Sequence, residues 1–276
     1  MTSPIEAAWT NPKTGHALWS RAWEPATVRQ ELVLLHGFGE HGGRYDALAQ
    51  RLIAQQIRVV CTDLWGHGRS GGRRGDVERF DAYLDDLEAV VATSGLVRSA
   101  RLHLFGHSFG GLLAISLSRR LPGRWASLAL QAPLLKLGFA VPRWKEALGR
   151  LMGVALPTLS LGNEVDPAWL SRDPDVGRRY RGDPLAHHRI SARAYRSLQG
   201  ASAAAQRLAG SLAIPTLMLY GTGDRVVSPE ACQAFFEGIA CEKRLAVFPG
   251  AYHELHHESV AEDVVRQITE WVQSHA

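Results

Sequence analysis

Ser108 lies in the stretch HLFGHSFGG (103–111), with Gly106 and Gly110 two residues away on either side. An apolar run, RLHLFGH, precedes it and a helical pattern, SFGGLLAISLSRR, follows it. G-x-S-x-G at a strand-to-helix turn lifts a serine hydroxyl out on strained backbone. Side chains at 106 and 110 would strike the turn and the neighbouring helix, and glycine removes them. The helix start also aims free N–H groups and its positive dipole end at the hydroxyl, which suits a developing oxyanion. The expected chemistry is acyl transfer with Ser108 as nucleophile; the plainer reading is that these glycines only punctuate a turn.

A serine hydroxyl is a poor nucleophile near neutral pH and needs a base, itself oriented by a carboxylate. On such a turn the partners follow in the order Ser, Asp or Glu, His. One place for the acid, Leu134 to Leu137 after WASLALQAP, holds no carboxylate. The other, TLMLYGTGD, supplies Asp224 just past Gly221 and Gly223, although this aspartate could instead cap the helix at SPEACQAFF. For the base, the loop RLAVFPGAYHELHHESV offers His253, His256 and His257. His253, nearest the strand end, is the expected base and His256 its main rival. His36, His41, His67 and His107 are expected to support loop geometry by hydrogen bonding. The oxyanion needs donors from the residue after the nucleophile and from the loop after the first central strand, so the backbone N–H groups of Phe109 and Phe38 are the expected pair.

These groups have to be positioned by an alternating scaffold. ELVLLHG (31–37), RVVCTDL (58–64), RLHLFGH, WASLALQAP (125–133), TLMLYGTGD (216–224) and RLAVFPG (244–250) read as strands. YDALAQRLIAQQ, FDAYLDDLEAVVA, SFGGLLAISLSRRL and VAEDVVRQITEWVQ carry helical apolar spacing. The alternation predicts βαβ units and a mostly parallel sheet. AAWTNPKTGHALWSRAW reads as an antiparallel hairpin at the sheet edge around Asn11 and Gly15. Residues 135–205 separate two strands by far more than a crossover needs and are read as an insertion. The expected organisation is a core of 1–134 and 206–276 with a cap of 135–205, whose Phe139, Trp144, Leu148 and Met152 would line an acyl pocket.

Composition excludes several classes. A chain of 276 residues can bury a large core, and its apolar content argues against disorder. The net charge of +4 is nearly all arginine, since Lys13, Lys136, Lys145 and Lys243 are the only lysines. Arg69, Arg73 and Arg74, then Arg178, Arg179 and Arg181, are clusters without a nucleic-acid-binding motif, so no nucleic-acid partner is expected. Cys61, Cys232 and Cys241 have no metal-like spacing, and no metal or cofactor is expected. The N-terminal stretch lacks a secretory pattern, and no apolar run approaches spanning length. A cytoplasmic enzyme is expected, with peripheral membrane contact through the cap allowed and monomer and homodimer both open.

With these residues in place the chain resembles the α/β-hydrolase superfamily over nearly its whole length, and more narrowly the monoacylglycerol lipase and lysophospholipase group. HGFGEHGGRY (36–45), DLWGHGRSGGRRG (63–75), GHSFGG and YHELHHE (252–258) carry the narrower resemblance. Phe109 stands where that group usually has methionine, which spares the backbone donor but alters the pocket wall. The resemblance implies an α/β-hydrolase fold with a helical cap inserted before the penultimate strand. It implies hydrolysis of a single-chain acyl ester, such as a monoacylglycerol or a lysophospholipid-like ester, without a cofactor. It also assigns Glu40, Arg44 and His256 to the glycerol head group, although Glu40 and Arg44, four apart, read equally well as an ion pair bracing their loop.

Other readings keep the triad on a general carboxylester, a thioester, an amide or a carbon–carbon bond, or make the chain a non-catalytic ligand binder on the same scaffold. A serine at the turn disfavours the aspartate-nucleophile chemistries of that fold.

Overall fold

The computed structural model describes residues 2–141, 152 and 155–276. Its first elements, β1 (Ile5–Thr10) and β2 (Ala17–Trp23), form the antiparallel hairpin expected around Asn11 and Gly15. β1 is largely exposed, as an edge strand can be, while β2 is mostly buried.

The central strands are β3 (Gln30–Leu35), β4 (Ile57–Asp63), β5 (Leu102–His107), β6 (Trp125–Gln131) and β9 (Thr216–Gly221). They are buried along nearly their whole length. Continuous apolar runs of this kind belong to parallel strands covered on both faces. With β10 (Lys243–Phe248), the order among the described residues is β1-β2-β4-β3-β5-β6-β9-β10, parallel from β4 onward. The strand runs read from the sequence match these to within a few residues.

Helices cover both faces. α1 (Asp46–Ala54) and α7 (Ala261–Ser274) pack on one, through Leu48, Leu52, Val264, Ile268 and Trp271. α2 (Phe80–Ala92), α3 (Phe109–Arg120) and α6 (Pro229–Gly238) pack on the other, through Tyr83, Leu87, Leu112, Leu113 and Phe235. Val264, Ile268, Trp271 and Val272 recur at three- and four-residue spacing, which puts them on one face of α7. α6 begins where the sequence signals it: Ser228 accepts from Ala231 N–H and Pro229 occupies the first turn.

Between β6 and β9 the described chain forms a small antiparallel hairpin of β7 (Ser160–Gly162) and β8 (Arg189–Ser191), with α4 (Pro174–Gly182) between its strands. α5 (Ala192–Gln206) follows, and its Ala194, Leu198 and Ala205 join the cluster built on α2 and α3. The insertion is thus rooted in the core at its C-terminal end. No helix among the described residues is long and apolar enough to cross a membrane.

Candidate active site

Ser108 follows β5 and caps the start of α3 with φ 53° and ψ −116°, a positive-φ conformation that costs a non-glycine residue energy. Its neighbours show why the turn holds. A Cβ at Gly106 would lie 2.4 Å from Gly110 O, and one at Gly110 would lie 2.0 Å from Leu35 O. Backbone thus passes where side chains would be, and any other residue would push α3 off β3 and β5. The Ser108 N–H donates to Gln131 O at 3.0 Å, and its carbonyl accepts from Leu134 N–H at 2.9 Å, which fixes the elbow to the end of β6.

Asp224 follows β9 and His253 follows β10. Parallel pairing sets Phe248 beside Gly221, so the two loops leave the sheet together. A Cβ at Gly221 would sit 2.1 Å from Ala251 O, so the loops touch backbone to backbone. The result is a buried contact: His253 Nδ1 lies 2.7 Å from Asp224 Oδ2. Asp224 Oδ1 accepts from the N–H groups of Val226 and Val227 at 2.8 and 3.0 Å, which orients the carboxylate. It does not cap α6, a role that Ser228 fills. Burial would lower the proton affinity of His253, but the Asp224 carboxylate outweighs it and holds the imidazole above its ordinary range.

Phe38 and Phe109 stand side by side, rings 5.6 Å apart and edge to face. Phe109 is wholly buried and its ring also meets Tyr83 and Phe80, so that ring belongs to the core. As the first residue of α3, Phe109 has an N–H without an intrahelical acceptor. Phe38 is caged by His67, at 4.9 Å, and by His187 of the insertion, at 5.6 Å. The insertion also grips the neighbouring glycine. His187 N–H donates to Gly39 O at 2.7 Å, and the Tyr180 hydroxyl lies 3.1 Å from the same oxygen. His41 Nε2 and Asp183 Oδ2 meet at 2.8 Å beside them.

Glu40 and Arg44 are brought together, but neither is left open. Glu40 accepts from Gly37 N–H at 2.5 Å, Tyr45 Oη at 2.6 Å and Arg44 Nε at 3.0 Å. Arg44 Nη2 donates to both oxygens of Glu254, the residue after His253. Burial and the nearby Glu254 push the Glu40 carboxyl upward, yet Arg44 prevails and holds it below the usual carboxylate range. Burial also opposes ionisation of Glu254, and Arg44 with His257 pulls it well below that range.

His256 is buried against Tyr45, rings 4.7 Å apart and stacked. Its Nδ1 receives Gln131 Nε2 at 2.8 Å, while its buried Nε2 has no partner among the described residues. His107, the residue before Ser108, packs its ring 4.6 Å from that of His253. Burial, then His253 itself, lowers His107 to about 4. His36 Nδ1 donates to Gly37 O and its Nε2 accepts from Leu64 N–H, and His67 Nδ1 donates to Trp65 O, which are the loop-supporting contacts expected of them.

Of the apolar residues expected in the cap, Phe139 is half-buried against Trp169, next to Gly138, whose N–H donates to Val226 O at 2.9 Å. Met152 is half-buried, and its carbonyl accepts from Leu156 N–H. Trp144 and Leu148 lie outside the described residues. Sequence reasoning missed Gln131, Glu254, Tyr180 and His187. Glu254 carried a faint signal, a carboxylate adjoining the expected base; the others carried none.

Among the described residues, Glu254, His256 and His257 bring one ligand atom each within 4.8 Å of one another. Arg44 already holds both Glu254 oxygens, and the ring nitrogens of His257 are engaged by Glu254 and by Arg44 O. A guanidinium in that position disfavours a cation.

The family model described as serine aminopeptidase, S33, matches residues 26–260. A monoacylglycerol lipase of Mycolicibacterium smegmatis is 33% identical over 258 residues, covering 92% of this chain and 91% of that protein. An uncharacterised abhydrolase domain-containing protein of Dictyostelium discoideum is 31% identical over 276 residues, 99% of this chain, which spans 29% of that protein's length. The crystal structure of a monoacylglycerol lipase from Paleococcus ferrophilus superposes with a TM-score of 0.83 at 32% identity, covering 100% of both chains.

Proposed function

The chain belongs to the serine aminopeptidase S33 family of α/β hydrolases and is a serine ester hydrolase, and on that premise we propose that Ser108, His253 and Asp224 cleave single-chain acyl esters of the monoacylglycerol or lysophospholipid-like type. The observation that carries the reading is the buried His253–Asp224 hydrogen bond, joined through the His107 ring to the strained Ser108 elbow. The similarity to two monoacylglycerol lipases points to the substrate class.

In this reading Ser108 Oγ attacks the ester carbonyl carbon and its proton passes to His253 Nε2. Asp224 holds Nδ1–H and stabilises the imidazolium. The carbonyl oxygen, now negative, takes hydrogen bonds from the N–H groups of Phe38 and Phe109. The C–O bond breaks, His253 returns its proton to the leaving alcohol, and an acyl-serine remains. Water, deprotonated by His253, then attacks the acyl carbon, and the released Ser108 oxygen takes the proton back. No step calls for a cofactor.

The polar end of the site supports a small alcohol. Glu40 and Arg44 form its wall, their polar atoms taken up by Gly37, Tyr45 and Glu254. His256 Nε2, buried and without a partner among the described residues, is the donor left to meet a glycerol hydroxyl. In this reading the described part of the insertion roofs the acyl end, with Phe139 and Met152 among its apolar side chains. Leu156, Leu159 and Leu161, exposed on this insertion, suit peripheral contact with lipid. The free thiols Cys61, Cys232 and Cys241 fit a reducing compartment.

Replacing Ser108 by Ala tests the assignment: p-nitrophenyl ester turnover and fluorophosphonate labelling disappear while circular dichroism is unchanged. Retained turnover overturns it. A hydrolysis profile across acyl lengths on glycerol, lysophospholipid and nitrophenyl heads tests the substrate class. A sharp optimum on glycerol supports it, and a flat profile reduces the enzyme to a general carboxylesterase.

A further inference from the structure

Three imidazoles touch beside the elbow. The ring of His107 lies 4.6 Å from that of His253 and 5.2 Å from that of His256. All three are buried, and three carboxylates face them: Asp224 beside His253, Glu40 from the loop after β3, and Glu254 from the loop after β10. Among the described residues, Arg44, Tyr45 and His257 also stand against this cluster, and His36 acts on Glu40. So many carboxylates would draw protons onto every ring, yet base catalysis needs one basic imidazole without a charged neighbour.

One side chain bridges the other two rings. Gln131 is fully buried at the end of β6, and its Nε2 lies 2.9 Å from His107 Nδ1 and 2.8 Å from His256 Nδ1. The same residue accepts the Ser108 N–H through its backbone carbonyl, so its position is tied to the nucleophile. We propose that Gln131 is a positioning residue that gives one amide hydrogen to each Nδ1, holding His107 and His256 neutral and protonated at Nε2, so that His253 alone of the three takes up a proton. The proposal rests on His253 being the catalytic base.

The physical reason is donor against donor. An imidazolium carries N–H on both nitrogens, and an N–H at Nδ1 would point into the amide hydrogens of Gln131. A charge on either ring therefore requires that the bond be broken in a buried site. The amide turned the other way would strand both of its buried N–H groups, whereas among the described residues the present orientation leaves the Oε1 acceptor and the single Nε2–H of His256 without a partner. An under-satisfied carbonyl is better tolerated than orphaned donors. The assignment also explains the free Nε2 of His256: the hydrogen it must carry is the donor that the proposed head-group site has to offer. Burial lowers the proton affinity of both rings and acts in the same direction.

Long-range proton–nitrogen correlation spectra of the histidine-labelled wild-type enzyme, assigned through single histidine variants, test this directly. His107 and His256 are expected to show the neutral Nε2–H pattern at neutral pH. An Nδ1–H or imidazolium pattern at either ring overturns the proposal. In Gln131→Glu the carboxylate accepts from Nδ1–H of both rings and admits their charge. The acid limb of kcat/KM is then expected to move by about one pH unit or more and to steepen beyond a single proton. A profile superimposable on wild type overturns the proposal. If the variant does not fold, the wild-type spectra still decide. Failure of the triad itself would show separately, as turnover surviving in Ser108→Ala.

Discussion

Arg44 Nη2 stands 2.8 and 2.6 Å from the two carboxylate oxygens of Glu254, a residue 210 positions further along the chain. The same guanidinium reaches Glu40 through Nε at 3.0 Å, and its Cζ lies 4.9 Å from the centre of the Tyr180 ring of the insertion. One cation therefore joins the loop that carries Phe38, the loop that carries His253 and the insertion above them. Relative motion of those loops has to break a buried ion pair.

Removing that cation leaves Glu40 and Glu254 buried and facing one another. Arg44→Met is expected to cost about 3 kcal/mol, at the lower end for a broken buried pair because His257 still meets Glu254. Urea denaturation measures the loss, and kcat should fall more than KM rises because Glu254 adjoins His253. An unchanged denaturation midpoint would refute the bracing role.

The acid limb of the activity profile should follow His253, since only the neutral imidazole accepts the serine proton. Asp224 holds that imidazole above its ordinary range against the effect of burial. In Asp224→Asn burial is opposed only by the weaker pull of Glu254 and Glu40, so the limb moves to lower pH, while kcat falls by about 10⁴ because the imidazole tautomer is no longer fixed. A pH–rate series on the variant checks both; a limb that stays in place would assign it to another group.

Buried neutral histidines make the fold sensitive to mild acid. His103, His107 and His187 are each lowered to about 4 from an ordinary 6.5, first by burial. Unfolding then takes up protons between those values, so stability is complete above about pH 6.5 and declines as pH falls towards 4. His253 works in the opposite sense: its raised value adds stability at low pH that is lost as pH rises through it. The depressed Glu40 and Glu254 contribute losses only below about 4.5. Urea midpoints measured from pH 7.5 to 4 should drop within the histidine window. A flat series over that range would contradict the buried neutral assignment.

Gly39 is required by what sits on it. Its φ of +82° is left-handed, and a Cβ there would lie 2.4 Å from His187 O and 2.8 Å from Tyr180 Oη. Gly39→Ala is expected to separate the insertion from the loop bearing Phe38 and to lower kcat by about a hundredfold, the scale of a lost oxyanion donor. KM should change far less. Steady-state kinetics on a nitrophenyl ester would show it, and a variant with wild-type kcat would dissociate this contact from catalysis.

Much of the scaffold was legible because its signals are local. Strand and helix periodicities, Ser228 before Pro229 at the start of α6, and Gly106 and Gly110 around Ser108 each act over a few residues. Asp224 and His253 were found by their loops, one strand apart in sequence. Glu40 and Arg44 were legible as a pair, but nothing local says that Arg44 is shared with Glu254. Gln131 reads as one polar residue at the end of an apolar strand, and its partners lie 24 and 125 residues away.

By itself, then, the sequence determined the alternating parallel framework and the strained turn at Ser108, because backbone conformation and apolar periodicity are set by neighbouring residues. Tertiary structure alone decided that Arg44 is shared between Glu40 and Glu254 and that Gln131 lies between two further imidazoles. It also decided that the insertion bonds to Gly39. These contacts depend on which loops leave the sheet side by side, and that follows from strand order and register rather than from any short stretch of chain.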